Sequence, residues 1–188
     1  MAVNFLLKLD GGGIKGESPV DGFKDYMEIL SYHFGAKQTG TFAYGQGGGG
    51  GKVSMDDFEF NMKTNQASPK LMEACANGTA IKTATLVCRK AGGKTAVEFL
   101  KVEMTDCLIS SYHTGLPVGI DVYNGDGGLI PGRSSGGAAN VIHDDVPVCH
   151  IALNFAKIVF TYKDQKADGS AGSAVEGGWD QKKMKSGK

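Results

Sequence analysis

The sequence has no excess of charge of either sign and no long apolar run. Lys plus Arg and Asp plus Glu number 20 each among 188 residues, so the formal net charge is zero. A neutral chain has no general electrostatic attraction for nucleic acid or for an anionic membrane. No apolar segment approaches the ~20 residues that a membrane-spanning helix needs. These absences argue against a polyanion-binding protein and against a helical membrane protein.

Cysteine is scarce, and a secretion signal is missing. The four cysteines lie far apart and form no C-x-x-C pair. Residues 1–9 include a short apolar stretch, with no basic region before it and no small-residue cleavage site after it. We therefore expect a chain made in the cytosol with reduced thiols. Any export would require a dedicated machine that accepts the folded protein.

Glycine is the residue that the chain has in excess. There are 29 glycines, about twice the usual ~7%. They cluster at residues 11–16, 45–51, 125–137 and 169–178, and the segments between these clusters have the composition of β-strands. This distribution predicts a compact body with long loops, and not a disordered chain. A neutral surface also does little to oppose contact between copies.

Alternating apolar residues predict about six or seven strands. We place them at residues 3–9, 25–34, 53–63, 81–90, 97–112 and 148–163. The second strand has Tyr26, Leu30, Tyr32 and Phe34 on one face. The fifth has Leu100, Val102, Met104 and Leu108 in one phase. In the last strand the apolar phase shifts at residues 156–157, which predicts a bulge or a change of facing partner.

One short helix is predicted at about residues 68–77. Ser68 can cap the free amides, Pro69 suits the first helical turn, and Gly78 can adopt the left-handed conformation that ends a helix. All-β chains with such strands close into barrels or sandwiches. We expect residues 1–163 to form the barrel domain and residues 164–188 to be a polar, Gly-rich C-terminal tail.

Glycine-rich motifs resemble nucleotide-binding loops but lack the required context. Residues 11–16 match G-x-G-x-x-G after a strand, yet the next segment contains Pro19 and Gly22 and then another strand. A dinucleotide site needs a helix there. Lys52 and Lys94 follow glycines, but neither segment has the phosphate-loop spacing. We read these segments as turns and expect no cofactor.

Two possible chemical sites are also weak. The segment His143-Asp144-Asp145, with His150 nearby, has metal-ligand residue types, but a flexible loop provides no convergent geometry. Cys149 and His150 look like a nucleophile beside a base, but adjacent strand residues point to opposite faces. We expect buried packing for the cysteines, no metal site and no catalytic site.

An ordered set of segments resembles the hemolysin-coregulated protein family of bacterial type VI secretion, known as Hcp. The segments are residues 1–3, 15–18, 68–72 with 74–75, 89–92, 108–112, 153–158, 165–170 and 178–180. They appear in family order and cover nearly the whole chain. Two places depart from the pattern, namely extra glycines after Asp10 and a longer segment from Leu116 to Asp145.

The resemblance implies a small antiparallel β-barrel with one short α-helix, similar to phage tail-tube proteins. Six copies would form a ring, and rings would stack into a tube tipped by a spike protein. The contractile sheath and baseplate would drive this tube out of the cell, with effectors carried in the lumen. The protein would be cytoplasmic before firing and secreted afterwards.

Two pairs of residues are candidates for the contacts of such a ring. Ser31 and His33 lie opposite Tyr32 and Phe34 on their strand, so they should face outward and could line the lumen. The segment 35–52 is long for a connection inside a domain, and we expect it to reach a neighbouring copy.

Within that loop, Phe42 and Tyr44 are the expected contact residues. Other functions stay open on the residues alone. One is a monomeric barrel or sandwich that binds a small molecule or a sugar, since barrel mouths commonly hold ligands. Another is a hydrolase that uses His or Cys residues, which the weak motifs argue against.

Overall fold

The computed structural model describes residues 3–38, 53–90, 96–115, 146–165 and 171–187, and these are mostly β-strand with one helix. The elements are β1 (Val3–Asp10), β2 (Met27–Ile29), β3 (Ser31–His33), β4 (Ala36–Gln38), β5 (Val53–Met55), β6 (Phe58–Lys63), α1 (Ser68–Asn77), β7 (Ile81–Lys90), β8 (Val97–Gly115), β9 (Val148–Asn154), β10 (Lys157–Gln165), β11 (Ala171–Asp180) and β12 (Lys185–Ser186). Phe42, Tyr44 and His143 lie outside the described residues.

The strands form two connected antiparallel layers. The main sheet has the order β12-β11-β10-β8-β7-β1-β2. The side sheet has the order β3-β6-β9-β8 and uses the second half of β8, from Leu108 to Gly115. The long strand β8 therefore belongs to both sheets. A separate pair is formed by β4 and β5.

The strand pairings run around a small barrel. β1 pairs with β7, β7 with β8, β8 with β9, β9 with β6, and β6 with β3. β2, which precedes β3 in the chain, pairs with β1 and brings the circuit back to its start. Only Leu30 separates β2 from β3, and its N–H donates to the carbonyl of Asn61 in β6. The ladder is interrupted at this residue, so closure is not continuous. The strands β10 to β12 branch from the circuit at β8.

The interior is filled by apolar side chains from both sheets and from α1. Fully buried members include Leu7, Met27, Phe58, Phe60, Met62, Leu71, Leu86, Met104 and Ile151. Tyr32 stacks on Phe58 with ring centroids 5.6 Å apart. Burial of each such side chain contributes roughly 2–3 kcal/mol. Alternation on β6 predicts the three inward residues of that strand, and the structure confirms it.

Where β8 passes from the main sheet to the side sheet, both β8 and the strands that pair with it are irregular. Asp106 in β8 has φ of 54°, and the pairing of β9 and β10 breaks opposite it. The N–H of Ala156 donates to the carbonyl of Thr105 at 3.0 Å. The phase shift predicted at residues 156–157 is therefore confirmed. The matching shift in β8 was not predicted, and Leu108 is exposed instead of inward because Asp106 reverses the phase.

The predicted strand at residues 25–34 is also divided. Met27 and Ile29 are buried, Leu30 is exposed, and Tyr32 packs against the core. The phase reverses at Leu30 because the chain leaves the main sheet there and joins the side sheet. The inward assignment of Leu30 was wrong, whereas Ser31 and His33 are exposed as expected.

The helix α1 lies where its end signals predict, but its first turn is capped differently. The residue before the helix is Ala67, whose N–H donates to Oδ1 of Asn65 at 2.9 Å. Ser68 is the first helical residue, and its hydroxyl accepts the N–H of Asn65 instead of capping the free amides. Gly78 ends the helix with φ of 67°, as predicted.

The segment described from sequence as a polar tail includes a long strand. β11 pairs with β10 along residues 157–165, and β12 folds back onto Trp179 and Asp180. Gly178 lies so close to the carbonyl of Ile158 that a Cβ would collide with it. The Gly-rich composition therefore permits close pairing and does not mark an unstructured end. Strand formation here depends on β10, which no local pattern reveals.

Candidate functional site

The outward face of the side sheet carries a row of polar side chains across four strands. Ser31 in β3 is opposite Asn61 in β6, Asn61 is opposite His150 in β9, and His150 is opposite His113 in β8. His33 is similarly opposite Glu59. Sequence alternation predicts the exposure of the two β3 residues. We call the side chains of Ser31, His33, Glu59, Asn61, His113 and His150 the polar face.

Hydrogen bonds determine which atoms of the polar face donate and which accept. The amide nitrogen of Asn61 donates to Oγ of Ser31 at 2.9 Å. This leaves Oδ1 of Asn61 facing Nδ1 of His150 at 2.9 Å, so that Nδ1 must carry the hydrogen. Nε2 of His150 lies 3.8 Å from a carboxylate oxygen of Glu59. Asn61 therefore orients both the serine hydroxyl and the imidazole.

Together with Tyr32, all residues of the polar face except His113 line a shallow depression of about 300 Å³. Its chemistry suits contact with another polar surface and not nucleophilic catalysis. A serine nucleophile needs a base that takes its proton, but the hydrogen-bond partner of Ser31 is a side-chain amide. The rings of His113 and His150 stack with centroids 6.4 Å apart, which extends the face toward β8.

Cys149 lies on the opposite face of β9 from His150 and is completely buried. The two side chains do not meet, as strand geometry predicts. Four hydroxyl groups surround the thiol sulfur at 3.4 to 3.6 Å, namely those of Thr64, Ser68, Tyr112 and Thr114. This polar environment was missed from sequence, because Thr64 and Ser68, the β8 residues Tyr112 and Thr114, and Cys149 itself lie far apart in the chain.

The hydroxyl groups change the acidity of this thiol. Burial raises the pKa of Cys149, but the combined hydrogen bonds bring the pKa below its ordinary value. Burial dominates at Cys88 and Cys107 and raises the pKa of these thiols to about 11 and about 12. Because Ser68 begins α1, Cys149 links the helix to the side sheet. The described surroundings contain no proton acceptor that would make it a catalytic nucleophile.

The remaining candidate contact and metal-ligand residues named from the sequence lie largely outside the described residues. Phe42 and Tyr44 lie outside the described residues, as do His143, Asp144 and Asp145. Within the described ranges, no group of three or more His, Cys, Asp or Glu side chains is arranged to hold a metal ion. The same ranges contain no helix that is long and apolar enough to cross a membrane.

Comparison with known proteins covers nearly the whole chain. Residues 6–162 match the family described as "Type VI secretion system effector, Hcp". Protein hcp1 of Pseudomonas aeruginosa is 34% identical over 180 residues, which cover 95% of each chain.

Solved structures give the same assignment. A structure described as a type six secretion system protein has a TM-score of 0.78 and 25% identity, covering 98% of this chain and 99% of that one. Hcp1 from Salmonella typhimurium has a TM-score of 0.67 and 26% identity, covering 99% of each chain. The chain therefore belongs to the Hcp family of type VI secretion tube proteins.

Proposed function

We propose that six copies of this chain form a ring, and that rings stack into the inner tube of a type VI secretion system and carry effectors in the lumen. Members of the family are structural proteins and not enzymes. The observation that carries the proposal is the 34% identity to Protein hcp1 over 95% of both chains. The similarity therefore extends over nearly the whole of both chains.

The polar face is the candidate lumen surface, with Ser31 and His33 as cargo contacts. It lies outside the barrel core, on a sheet whose inward side is packed with Phe58 and Phe60. Exposed hydroxyl, amide and imidazole groups can exchange hydrogen bonds between water and a cargo protein at small net cost. A surface of this kind would hold cargo weakly enough for release.

The loop at residues 35–52 is the candidate contact between copies, through Phe42 and Tyr44. Its described ends, β4 and β5, pair with each other. A long connection inside a domain usually has a function, and we expect this one to contact a neighbouring copy or the next ring.

Further partners follow from the same assignment. A tube of this kind works with a spike protein at its tip and with the sheath and baseplate that drive it. The chain would be cytoplasmic before firing and would then pass through the machine to the extracellular space or a target cell. The filled interior, with Met62 and Leu71 fully buried, argues against the alternative of a monomeric barrel that binds a small molecule or a sugar inside.

Negative-stain imaging of the purified full-length chain tests the proposal. We expect round particles with a central hole and six-fold symmetry. Compact particles without a hole, at all concentrations in the micromolar range, would favour a monomeric binding protein and would refute the tube assignment.

A further inference from the structure

The turn at residues 181–184 presents an apolar side chain to solvent. Met184 is 48% exposed and has φ of 52°, a conformation that few residues other than glycine adopt. The turn is fixed to the body, because the N–H of Gln181 donates to the carbonyl of Ala156 at 2.8 Å and its side-chain amide donates to Phe155 at 2.8 Å. The exposed methionine is therefore held in one place. We call residues 181–185 the Met184 knob.

The Met184 knob is positively charged. It contains Lys182, Lys183 and Lys185. Lys182 pairs with Asp106 at 2.8 Å, and Lys183 lies 3.8 Å from Asp180. Lys185 has no ion-pair partner in the described part of the chain. The knob thus combines an apolar tip with one uncompensated positive charge.

A groove with the opposite character lies beside the start of β1. Its volume is about 580 Å³, and Val3, Leu30 and Val146 line it. These three side chains are 39%, 49% and 38% exposed, so they offer apolar surface to solvent. Polar side chains line much of the rest of the groove, and its charged members are Glu17, Glu28 and Lys63. The two carboxylates outnumber the one lysine, and neither glutamate forms an ion pair within the described residues. We call it the acidic groove.

The knob and the groove lie at opposite ends of the strand order of the main sheet. β12, which follows the knob, ends that order at one edge, and β2, which lines the groove, ends it at the other. The two surfaces share no residue, so one copy can offer each of them to a different neighbour.

We propose that the Met184 knob of one copy docks in the acidic groove of the next copy in the ring. Met184 would contact Leu30 and Val146, and Lys185 would face Glu28. The contact joins two different patches of the same chain, which is the head-to-tail geometry that closes into a ring. Opposite charges at its edge would fix the orientation of docking. The proposal rests on the proposed ring and specifies one of its contacts.

Substitutions at the knob and groove test the docking in the full-length chain. Sedimentation velocity across a concentration series measures the concentration at which rings dissociate. Met184→Glu and Leu30→Glu should each raise that concentration at least about tenfold, because each places a carboxylate at an apolar contact. Met72→Glu is the matched control, since Met72 on α1 is also an exposed methionine, at 51%, and should leave assembly unchanged. Circular dichroism checks that every variant is folded.

A charge exchange tests the proposed pairing. Lys185→Glu and Glu28→Lys should each weaken the ring, and the double variant should recover most of the loss. Unchanged rings in Met184→Glu and Leu30→Glu, or added losses in the double charge variant, would overturn the docking while leaving the ring itself in place. Intact rings that no longer stack would place the contact between rings and would also overturn it. A wild-type chain that forms no ring would refute the proposed function itself.

Discussion

His150 donates its Nδ1–H to the side-chain oxygen of Asn61 at 2.9 Å, across two neighbouring strands of the side sheet. The amide nitrogen of Asn61 is simultaneously bonded to Ser31, so one half-buried side chain joins three strands. Asn61→Ala removes both bonds and should lower the free energy of unfolding by about 1–2 kcal/mol. Urea denaturation measures this loss.

Asn4→Ala is the matched control for that substitution. Asn4 has an exposed side chain on β1 with no hydrogen bond in the described residues, so its removal should change stability by less than about 0.5 kcal/mol. Equal losses in the two variants would mean that the bonds of Asn61 add nothing to the stability of the side sheet.

Ser31→Gln and His33→Glu probe the proposed lumen surface. Both side chains are exposed on the polar face, so the variants should fold and form rings as the wild-type chain does. Each adds bulk or charge where cargo would pass, and the co-secretion of effectors should fall. Native mass and a secretion assay check the two parts separately. Loss of the ring would assign these residues to a subunit contact instead.

Deletion of residues 38–50 probes the proposed contact loop. The described core is filled by side chains from other segments, so the variant should keep the strand signal in circular dichroism. Ring or tube formation should weaken, because the contacts assigned to Phe42 and Tyr44 are removed. Assembly at the wild-type concentration would contradict a role for the loop.

Substitution of Gly16 tests how closely its segment approaches the backbone of Asp25 and Tyr26. Its N–H donates to the carbonyl of Asp25 at 2.9 Å, and a Cβ on Gly16 would overlap the backbone carbonyl of Tyr26. Gly16→Ala should destabilise the chain by about 1–3 kcal/mol in thermal or urea unfolding. Gly115→Ala is the control, because an added Cβ there meets no atom of the described residues within 4 Å. Similar stability of both variants would contradict the tight packing at Gly16.

The chain should lose stability at alkaline pH. Burial raises the pKa of Cys88 to about 11 and that of Cys107 to about 12, whereas unfolded thiols titrate near ~8.5. The folded state therefore retains protons that the unfolded state loses. Stability is fully present below the unfolded pKa and falls as pH rises toward 11 or 12, by on the order of 3–5 kcal/mol per thiol.

The slope of the unfolding free energy against pH in the alkaline range shows which thiols cause the loss of stability. Cys88→Ala should give a shallower fall of unfolding free energy between about pH 9 and pH 11 than the wild-type chain. Cys149 has a lowered pKa, so its contribution has the opposite sign and increases stability over the alkaline range. An unchanged slope in Cys88→Ala would show that this thiol is not protected from ionisation.

The strand pattern and the helix could be predicted because their signals are local. Pro69 and Gly78 mark both ends of α1, and the alternation in β6 is regular. The phase reversals at Leu30 and Asp106 were missed because apolar residues continue past both points. What changes there is the sheet to which the strand belongs, and that is set by distant partners.

The candidate site could be predicted only along one strand. Alternation places Ser31 and His33 outward, whereas Asn61, His113 and His150 join them through strand register. Register depends on how segments far apart in the chain pair, and a single sequence does not contain that information in local form. The hydroxyl groups around Cys149 were missed for the same reason.

Native mass spectrometry of the wild-type chain measures directly whether six copies assemble. We expect a species with six times the mass of one chain, which persists on dilution through the micromolar range. A single species with the mass of one chain throughout that range would contradict it.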